Sequence, residues 1–325
     1  MSAPLLRVEQ LAVSYHRRRH GAHPVFAVDD VSFGVGAGET VALVGESGSG
    51  KTTIGRAVLG LTPVTSGRVF FDGLDITHAT RGRRRQLSRE LQVVFQDPVG
   101  SLNPTKSVGE ILAEPLRVHR RPDKDELTQA VSDILVRVGL PPETGTRYPA
   151  QLSGGQRQRV AIARALMLSP RLIICDEPLS ALDLSIQAQI LNLLRELQEE
   201  TGVSFLLISH DVSVVRYLST RVIVLYRGRI VESGDTAQVH DAPVHPYTRA
   251  LLAAAPVADP AEQRARRQEW LRLAEGRRRG GETREGCSFS SRCPFAIDAC
   301  ALRPSLAPAS NGALVACHRK DERGW

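Results

Sequence analysis

Thr40–Thr53 reads TVALVGESGSGKTT, an apolar run that turns into a glycine-rich one. Thr40–Val44 has the length and composition of a short buried strand. The next eight residues, Gly45-Glu46-Ser47-Gly48-Ser49-Gly50-Lys51-Thr52, fit G-x-x-x-x-G-K-[ST] at every fixed position, and Thr53 follows in the helical stretch TTIGRAVLG. Glycine is needed there because the loop must wrap closely enough for consecutive backbone N–H groups to reach phosphate oxygens. The helix N-terminus adds the positive end of its dipole. The pattern predicts that Lys51 contacts the β- and γ-phosphates of a nucleotide and that the Thr52 hydroxyl ligates Mg2+.

A second stretch, PRLIICDEPLSALD, contains the apolar strand Leu172–Cys175, which ends at Asp176 and Glu177. An acid at the C-terminal end of a parallel strand beside a phosphate loop is placed to hold Mg2+, and a second carboxylate next to it to polarise the attacking water. Cys175, inside the strand, reads as a small buried hydrophobe. Before this stretch lies QLSGGQRQRVAIARALMLSP, where Ser153-Gly154-Gly155 ahead of a helical pattern forms another anion-binding helix start. One nucleotide needs only one such device. Two subunits meeting head-to-tail, each offering its second device to the other's nucleotide, account for both.

The 325 residues are 42% hydrophobic and 24% charged, an ordinary globular composition with enough apolar material for a sizeable core. MSAPLLRVEQ has neither the basic nor the apolar region of a secretory signal, and no apolar run approaches the ~18 residues that span a bilayer. A cytosolic chain is expected, in a reducing compartment. The net charge of +7 and the runs Arg17–Arg19, Arg83–Arg85 and Arg277–Arg279 permit a polyanionic partner. Each run is short and reads as an exposed loop, so a solvated surface is the better reading and no nucleic-acid partner is expected.

LSGGQ at Leu152–Gln156 matches the signature of the ATP-binding-cassette family, which the chain resembles over about residues 5–255. The resemblance implies an α/β fold: a P-loop nucleotide-binding domain with an N-terminal antiparallel β part and a helical subdomain at about 97–155. It implies ATP hydrolysis to ADP and phosphate. ATP would lie between the phosphate loop of one cassette (Gly45, Ser47, Gly48, Ser49, Gly50, Lys51, Thr52, Thr53) and the signature (Ser153, Gly154, Gly155, Gln156) with Asp183 of SALD from its partner. Tyr15 in LAVSYHRRR would stack on adenine, and Gln96 in VVFQDP would sense the γ-phosphate and share Mg2+ with Thr52 and Asp176. Glu177 would activate water, and His210 in LLISHD would contact the γ-phosphate.

Cassettes of this family also serve DNA repair and translation, but the insertions and duplications of those branches are not visible in the sequence. A separate cassette without a membrane span resembles a bacterial importer subunit. FQDPVGSLNPTKSVGEILAEPL, DEPLSALDLSIQAQILNLLRELQ and HDAPVHPYTRALLAAAP are similar to the oligopeptide/dipeptide importer ATPases. The implied partners are a second, different cassette, two membrane permease subunits and, indirectly, a solute-binding protein, at the cytoplasmic face of the inner membrane. Nickel and glutathione importers share the branch. The expected division is a cassette over 1–255 and an extension over 256–325.

The helix IQAQILNLLRELQEE is expected to bury Ile186, Ile190, Leu193, Leu194 and Leu197, and the arginine-rich stretch from about 259 to 286 to form a solvated helix and linker. Beyond it stand four of the five cysteines, Cys287, Cys293, Cys300 and Cys317, spaced C-x5-C-x6-C-x16-C. That spacing lacks the C-x2-4-C knuckle of zinc modules. Four thiolates suffice for an Fe–S cluster, and Cys293-Pro294 has the Cys-Pro step of some cluster motifs. The resemblance implies a [4Fe–4S] cluster; zinc and unmetallated thiols remain open. A tail with little core of its own gains most from a metal staple.

Overall fold

In the computed structural model of the protein, the apolar runs become strands and the 3–4-spaced patterns helices. The structure describes residues 3–15, 25–120, 123–180, 182–255 and 285–322, with positions 261, 263–265 and 268. The strands are β1 (Leu6–Tyr15), β2 (Val25–Val35), β3 (Thr40–Val44), β4 (Ser66–Phe71), β5 (Leu74–Asp75), β6 (Leu91–Val94), β7 (Leu172–Asp176), β8 (Ser204–Ile208), β9 (Arg221–Tyr226), β10 (Arg229–Asp235), β11 (Ala307–Pro308) and β12 (Leu314–Val315). The helices are α1 (Lys51–Leu59), α2 (Arg81–Leu87), α3 (Pro98–Ser101), α4 (Val108–His119), α5 (Lys124–Arg137), α6 (Gly154–Leu166), α7 (Leu184–Thr201), α8 (Val212–Leu218), α9 (Thr236–Asp241) and α10 (Pro246–Ala254). They fall into two compact units, one of Met1–Leu5, Val35–Glu39 and His78–Ile208, the other of Leu6–Gly34, Thr40–Thr77 and Ser209–Trp325.

In the first unit β7 pairs in parallel with β6 and β8, placing Leu91 opposite Leu172 and Asp176 opposite Ile208. All five residues of β7 and of β8 are buried, as strands of a parallel sheet covered on both faces must be. The helices start where short polar side chains can take up otherwise unpaired N–H groups. Ser107 and Glu110 form a capping box on α4, Asp123 caps α5, Ser153 and Gln156 form a box on α6, and Asp183 caps α7. The expected apolar face of α7 is buried at Ile190, Leu193, Leu194 and Leu197. Ile186, in the first turn of α7, is only half-buried, and its Cγ2 packs closely against Gly155.

The run Arg83–Arg85, read above as a loop, lies in α2, where Thr80 Oγ1 accepts the Arg83 N–H at 3.3 Å. The helix has no apolar periodicity and carries Gly82 in its first turn, so its pattern gave no helical signal. The other two arginine runs, and most of the 259–286 stretch, lie outside the described residues.

The second unit holds an antiparallel sheet in the order β2-β1-β4-β5. Asp72 and Gly73, both at positive φ, make the two-residue turn between β4 and β5, the Asp-Gly hairpin signal. In the same unit β3 pairs in parallel with β9, β9 turns back into β10, and β10 pairs with β12, which pairs with β11. The phosphate-loop stretch thus runs off the end of a wholly buried strand, β3, into α1. No helix among the described residues is long and apolar enough to cross a membrane.

Candidate nucleotide site

The loop after β3 has the backbone that its glycines permit and no other residue would. Gly45, Gly48 and Gly50 have φ of 150°, 79° and 104°. A Cβ on Gly45 would lie 2.2 Å from Leu225 O and one on Gly50 2.3 Å from Ala27 O. Gly50 also ends the loop as the N-cap of α1, whose first turn carries no acidic residue. Lys51 is buried, and its Nζ donates to Gly45 O at 2.8 Å and Glu46 O at 3.0 Å, so the ammonium holds the loop closed upon itself. Ser49 Oγ is buried and has no hydrogen-bond partner among the described residues. A buried hydroxyl without a partner costs about 1–3 kcal/mol. Together with a loop closed by glycine backbone and a buried cation, it fits a phosphate chain. Thr52 and Thr53 are half-buried in the first turn of α1, and Ser47 is exposed on the loop.

In the first unit, Asp176 ends β7 and is buried, while the next residue, Glu177, is half-buried and sits at φ 46°, a left-handed conformation rare for a side chain of its size. Its N–H donates to Ile208 O at 2.9 Å, which holds that turn in place. Gln96, just past β6, donates from Nε2 to Glu177 Oε2 at 2.8 Å. Two residues 81 apart in sequence are thereby joined. Cys175 is buried with its thiol pushed up to about 12, chiefly by burial and then by Asp176, so it takes no part in thiolate chemistry.

Ser153 and Gln156 are occupied with each other's backbone N–H groups at 3.3 and 3.0 Å. Gly155 is buried, and a Cβ there would lie 2.6 Å from Ile186 Cγ2; one on Gly154 would meet Leu182 Cδ2 at 3.4 Å. Asp183 accepts the Ile186 N–H at 3.0 Å and the Ser185 hydroxyl at 2.7 Å, which lowers its carboxyl pKa. In the second unit, Tyr15 closes β1 half-exposed, and exposed His210 precedes α8, whose cap Asp211 accepts from Ser213 and Val214.

One feature of the second unit had no sequence signal. Glu46, an open position of the loop motif, is held twice from the C-terminal side of the chain. Its N–H donates to Tyr247 Oη at 2.8 Å, and its carboxylate accepts two bonds of 2.9 Å from Arg292 Nη1 and Nη2. Tyr247 packs in a buried aromatic group with Tyr226 and Phe289, and the Arg292 guanidinium lies over the last two rings at 5.8 Å. His245 completes the support. It is fully buried, its Nδ1 accepts the Tyr247 N–H at 3.0 Å, and its backbone N–H donates to Glu232 Oε2 at 2.9 Å. Burial depresses the imidazole to about 3 and raises the Glu232 carboxyl. The His245–Thr248 segment is noticeable in the sequence; its target is not.

All five cysteines are free thiols. Cys300 accepts a hydrogen bond from Cys287, which draws its own titration down to about 6 and pushes that of Cys287 up. Burial raises Cys293 to about 11 and also raises Cys317. The Cys287 N–H donates to Cys300 O at 2.9 Å, so the first and third tail cysteines are also joined through the backbone. Among the described residues, no group of three or more His, Cys, Asp or Glu side chains is arranged to hold a metal ion.

A family pattern described as "ABC transporter" matches residues 28–180, and one described as "Oligopeptide/dipeptide transporter, C-terminal region" matches residues 231–300. A probable peptide ABC transporter ATP-binding protein of Sinorhizobium fredii is 48% identical over 98% of this chain and 90% of its own. The chain belongs to the ATP-binding-cassette transporter family. Another relative in this family, the oligopeptide transport ATP-binding protein OppF of Salmonella typhimurium, is 44% identical over 91% of this chain and 88% of its own. Among solved cassettes, cbiO1 of Clostridium perfringens, part of the transporter complex cbiONQ, aligns with a TM-score of 0.66 at 29% identity, covering 74% of this chain and 92% of that one. The cassette MJ0796, a dimer in a post-hydrolysis state with ADP and Pi, aligns with a TM-score of 0.64 at 30% identity over 71% of this chain and 98% of that one. As a cassette of this family the chain binds and hydrolyses ATP.

Proposed function

We propose that the chain is the ATP-hydrolysing subunit of a bacterial importer of di- and oligopeptides. The observation that carries this is likeness along nearly the whole chain, at 48% identity, to a probable peptide transporter ATP-binding protein, joined to the peptide-transporter pattern over residues 231–300. In this reading residues 1–255 form the cassette and 256–325 its extension. The chain pairs with a second cassette beneath two membrane permeases, at the cytoplasmic face of the inner membrane, and a solute-binding protein delivers the peptide.

The resemblance to the cassette family gives the site residues these roles. The Gly45–Thr53 loop binds the phosphates, with Lys51 as its cation. Thr52, Asp176 and Gln96 would hold Mg2+, which would supply charge neutralisation at the phosphates. Glu177, pre-set by its left-handed turn and held by Gln96, takes the proton of the attacking water, while His210 positions the γ-phosphate side. Tyr15 stacks on adenine. Ser153, Gly154, Gly155 and Gln156, with Asp183, face the nucleotide of the partner cassette. The four tail cysteines would be the ligands of the [4Fe–4S] cluster, or the zinc, that the resemblance implies, although among the described residues no three of them are gathered about one ion.

Peptide uptake in cells lacking the chain, restored by the wild type but not by Lys51→Ala, tests the reading. Restoration of nickel or glutathione uptake with no effect on peptides would replace the substrate and keep the ATPase.

A further inference from the structure

The loop motif fixes glycines, a lysine and a hydroxyl, and leaves the second position open. This chain puts a carboxylate there, in a loop whose task is to receive a polyanion. A negative charge at that place opposes the ligand unless it is compensated. The compensation comes from 246 residues away, where Arg292 meets the Glu46 carboxylate with two parallel N–H···O bonds of 2.9 Å. Tyr247 meanwhile takes the backbone N–H of the same residue. Glu46 is therefore neutralised through its side chain and fixed through its backbone by two separate elements.

Arg292 closes a short helical turn, Ser290–Arg292, directly before Cys293 and five residues after Cys287. Its neighbour Phe289 is 1% exposed against Tyr226 and Tyr247. The position of the guanidinium is thus set by the folding of the cysteine segment. We infer that Arg292 is a positioning residue for nucleotide binding: it cancels the charge that Glu46 places in the phosphate loop, so the folded state of the cysteine tail, which positions Arg292, sets the affinity of the loop for ATP. The inference rests on reading Gly45–Thr52 as the nucleotide's phosphate loop.

The pair is about half exposed, with side-chain values of 45% for Arg292 and 46% for Glu46, so its effect is moderate and sensitive to salt. Arg292→Ala in the full chain is expected to raise the Kd for MgATP about two- to fivefold, equivalent to about 0.4–1 kcal/mol. KM rises with it, and kcat at saturating ATP stays within about twofold, the pattern of lost uniform binding. Arg292→Lys, which keeps the charge and loses the fork, should recover part of the affinity.

The deciding variant is the double mutant Glu46→Gln/Arg292→Ala. With the carboxylate gone there is nothing to neutralise, and affinity should return to that of Glu46→Gln alone. A merely structural role for Arg292 would leave the double mutant as weak as Arg292→Ala, and that result overturns the inference. So does an unchanged Kd in Arg292→Ala. Near-ultraviolet circular dichroism of the Tyr226–Tyr247–Phe289 group reports whether the tail still packs; suppression by Glu46→Gln is the result a tail that has come loose would not give. Lys51→Ala separates the two readings. If it retains ATP affinity, the loop assignment itself fails, whereas loss of binding in Lys51→Ala with an unaltered Arg292→Ala refutes only the positioning role.

Discussion

Two adjacent glycines of the signature, Gly154 and Gly155, should respond very differently to the same substitution. Both lie in the first turn of α6, and alanine there gains at most about 1 kcal/mol of helix propensity at either site. That gain is shared, so the difference between the two mutants isolates packing. At Gly154 the new methyl meets Leu182 Cδ2 at 3.4 Å, an ordinary contact at an exposed position. At Gly155 it would lie 2.6 Å from Ile186 Cγ2, about an ångström inside normal carbon–carbon separation. The β-branched side chain has few rotamers to escape into. Overpacking of this kind costs about 1–3 kcal/mol. Gly155→Ala is therefore expected to be less stable than Gly154→Ala by about that much, read as a shift in urea midpoint at unchanged slope. Ile186→Ala removes the obstructing methyl, so the double mutant with Gly155→Ala should be less destabilised than the sum of the singles by about 1–2 kcal/mol, as coupled neighbours are. Equal stabilities for the two alanine mutants, or strict additivity in the cycle, would refute the packing account. The same cycle read by ATPase rate tells whether the contact between α6 and α7 also matters to the partner-facing helix start.

Glu177→Gln should keep ATP affinity and lose hydrolysis by a factor of about 10² or more, since the amide retains the Gln96 contact but cannot take a proton; near-normal turnover would remove Glu177 from its role. His245 gives a pH dependence with a definite sign. Unfolded, it binds its proton from about 6.5 downward, and folded only near 3, so the fold is fully supported above pH 6.5 and loses stability as pH falls toward 3. His245→Asn keeps an acceptor for the Tyr247 N–H and should flatten that decline when urea stability is followed from pH 7 to 4; Glu232 titrates with the opposite sign and is common to both proteins. Anaerobically purified protein with iron and sulfide near about four each per chain would establish the cluster, about one zinc would make the tail a structural staple, and neither would leave four titratable thiols.

The parts of the site legible in the sequence are those whose geometry demands a residue type locally. Gly45 and Gly50 stand where another residue would strike backbone oxygens, and Ser153 stands where a helix start needs an acceptor. The strand ending at Asp176 was readable because a parallel strand buried on both faces is apolar throughout. The hold on Glu46 was not, for the opposite reason. It joins an unconstrained motif position to an arginine in a cysteine-rich tail, and neither residue type is dictated by its own backbone. Ile186 and α2 fall between these cases. The spacing that marks a buried face does not say that its first position stays half-exposed at the start of the helix, and a seven-residue arginine helix has no apolar face to mark.

The outermost part of the second unit's long sheet has a bearing on handling the protein. Strand β10 would be an open edge, a row of unpaired backbone groups able to template association with another chain. It is covered by the tail. β12 pairs along Glu232 and Ser233, the Ala316 N–H donates to Val231 O at 2.9 Å, and β11 beyond it is two residues long and ends in Pro308. A strand that short, closed by a residue without an N–H, offers a newcomer almost nothing to extend. A chain truncated before Ala307 would keep every motif of the nucleotide site and uncover β10, and its expected fate is aggregation.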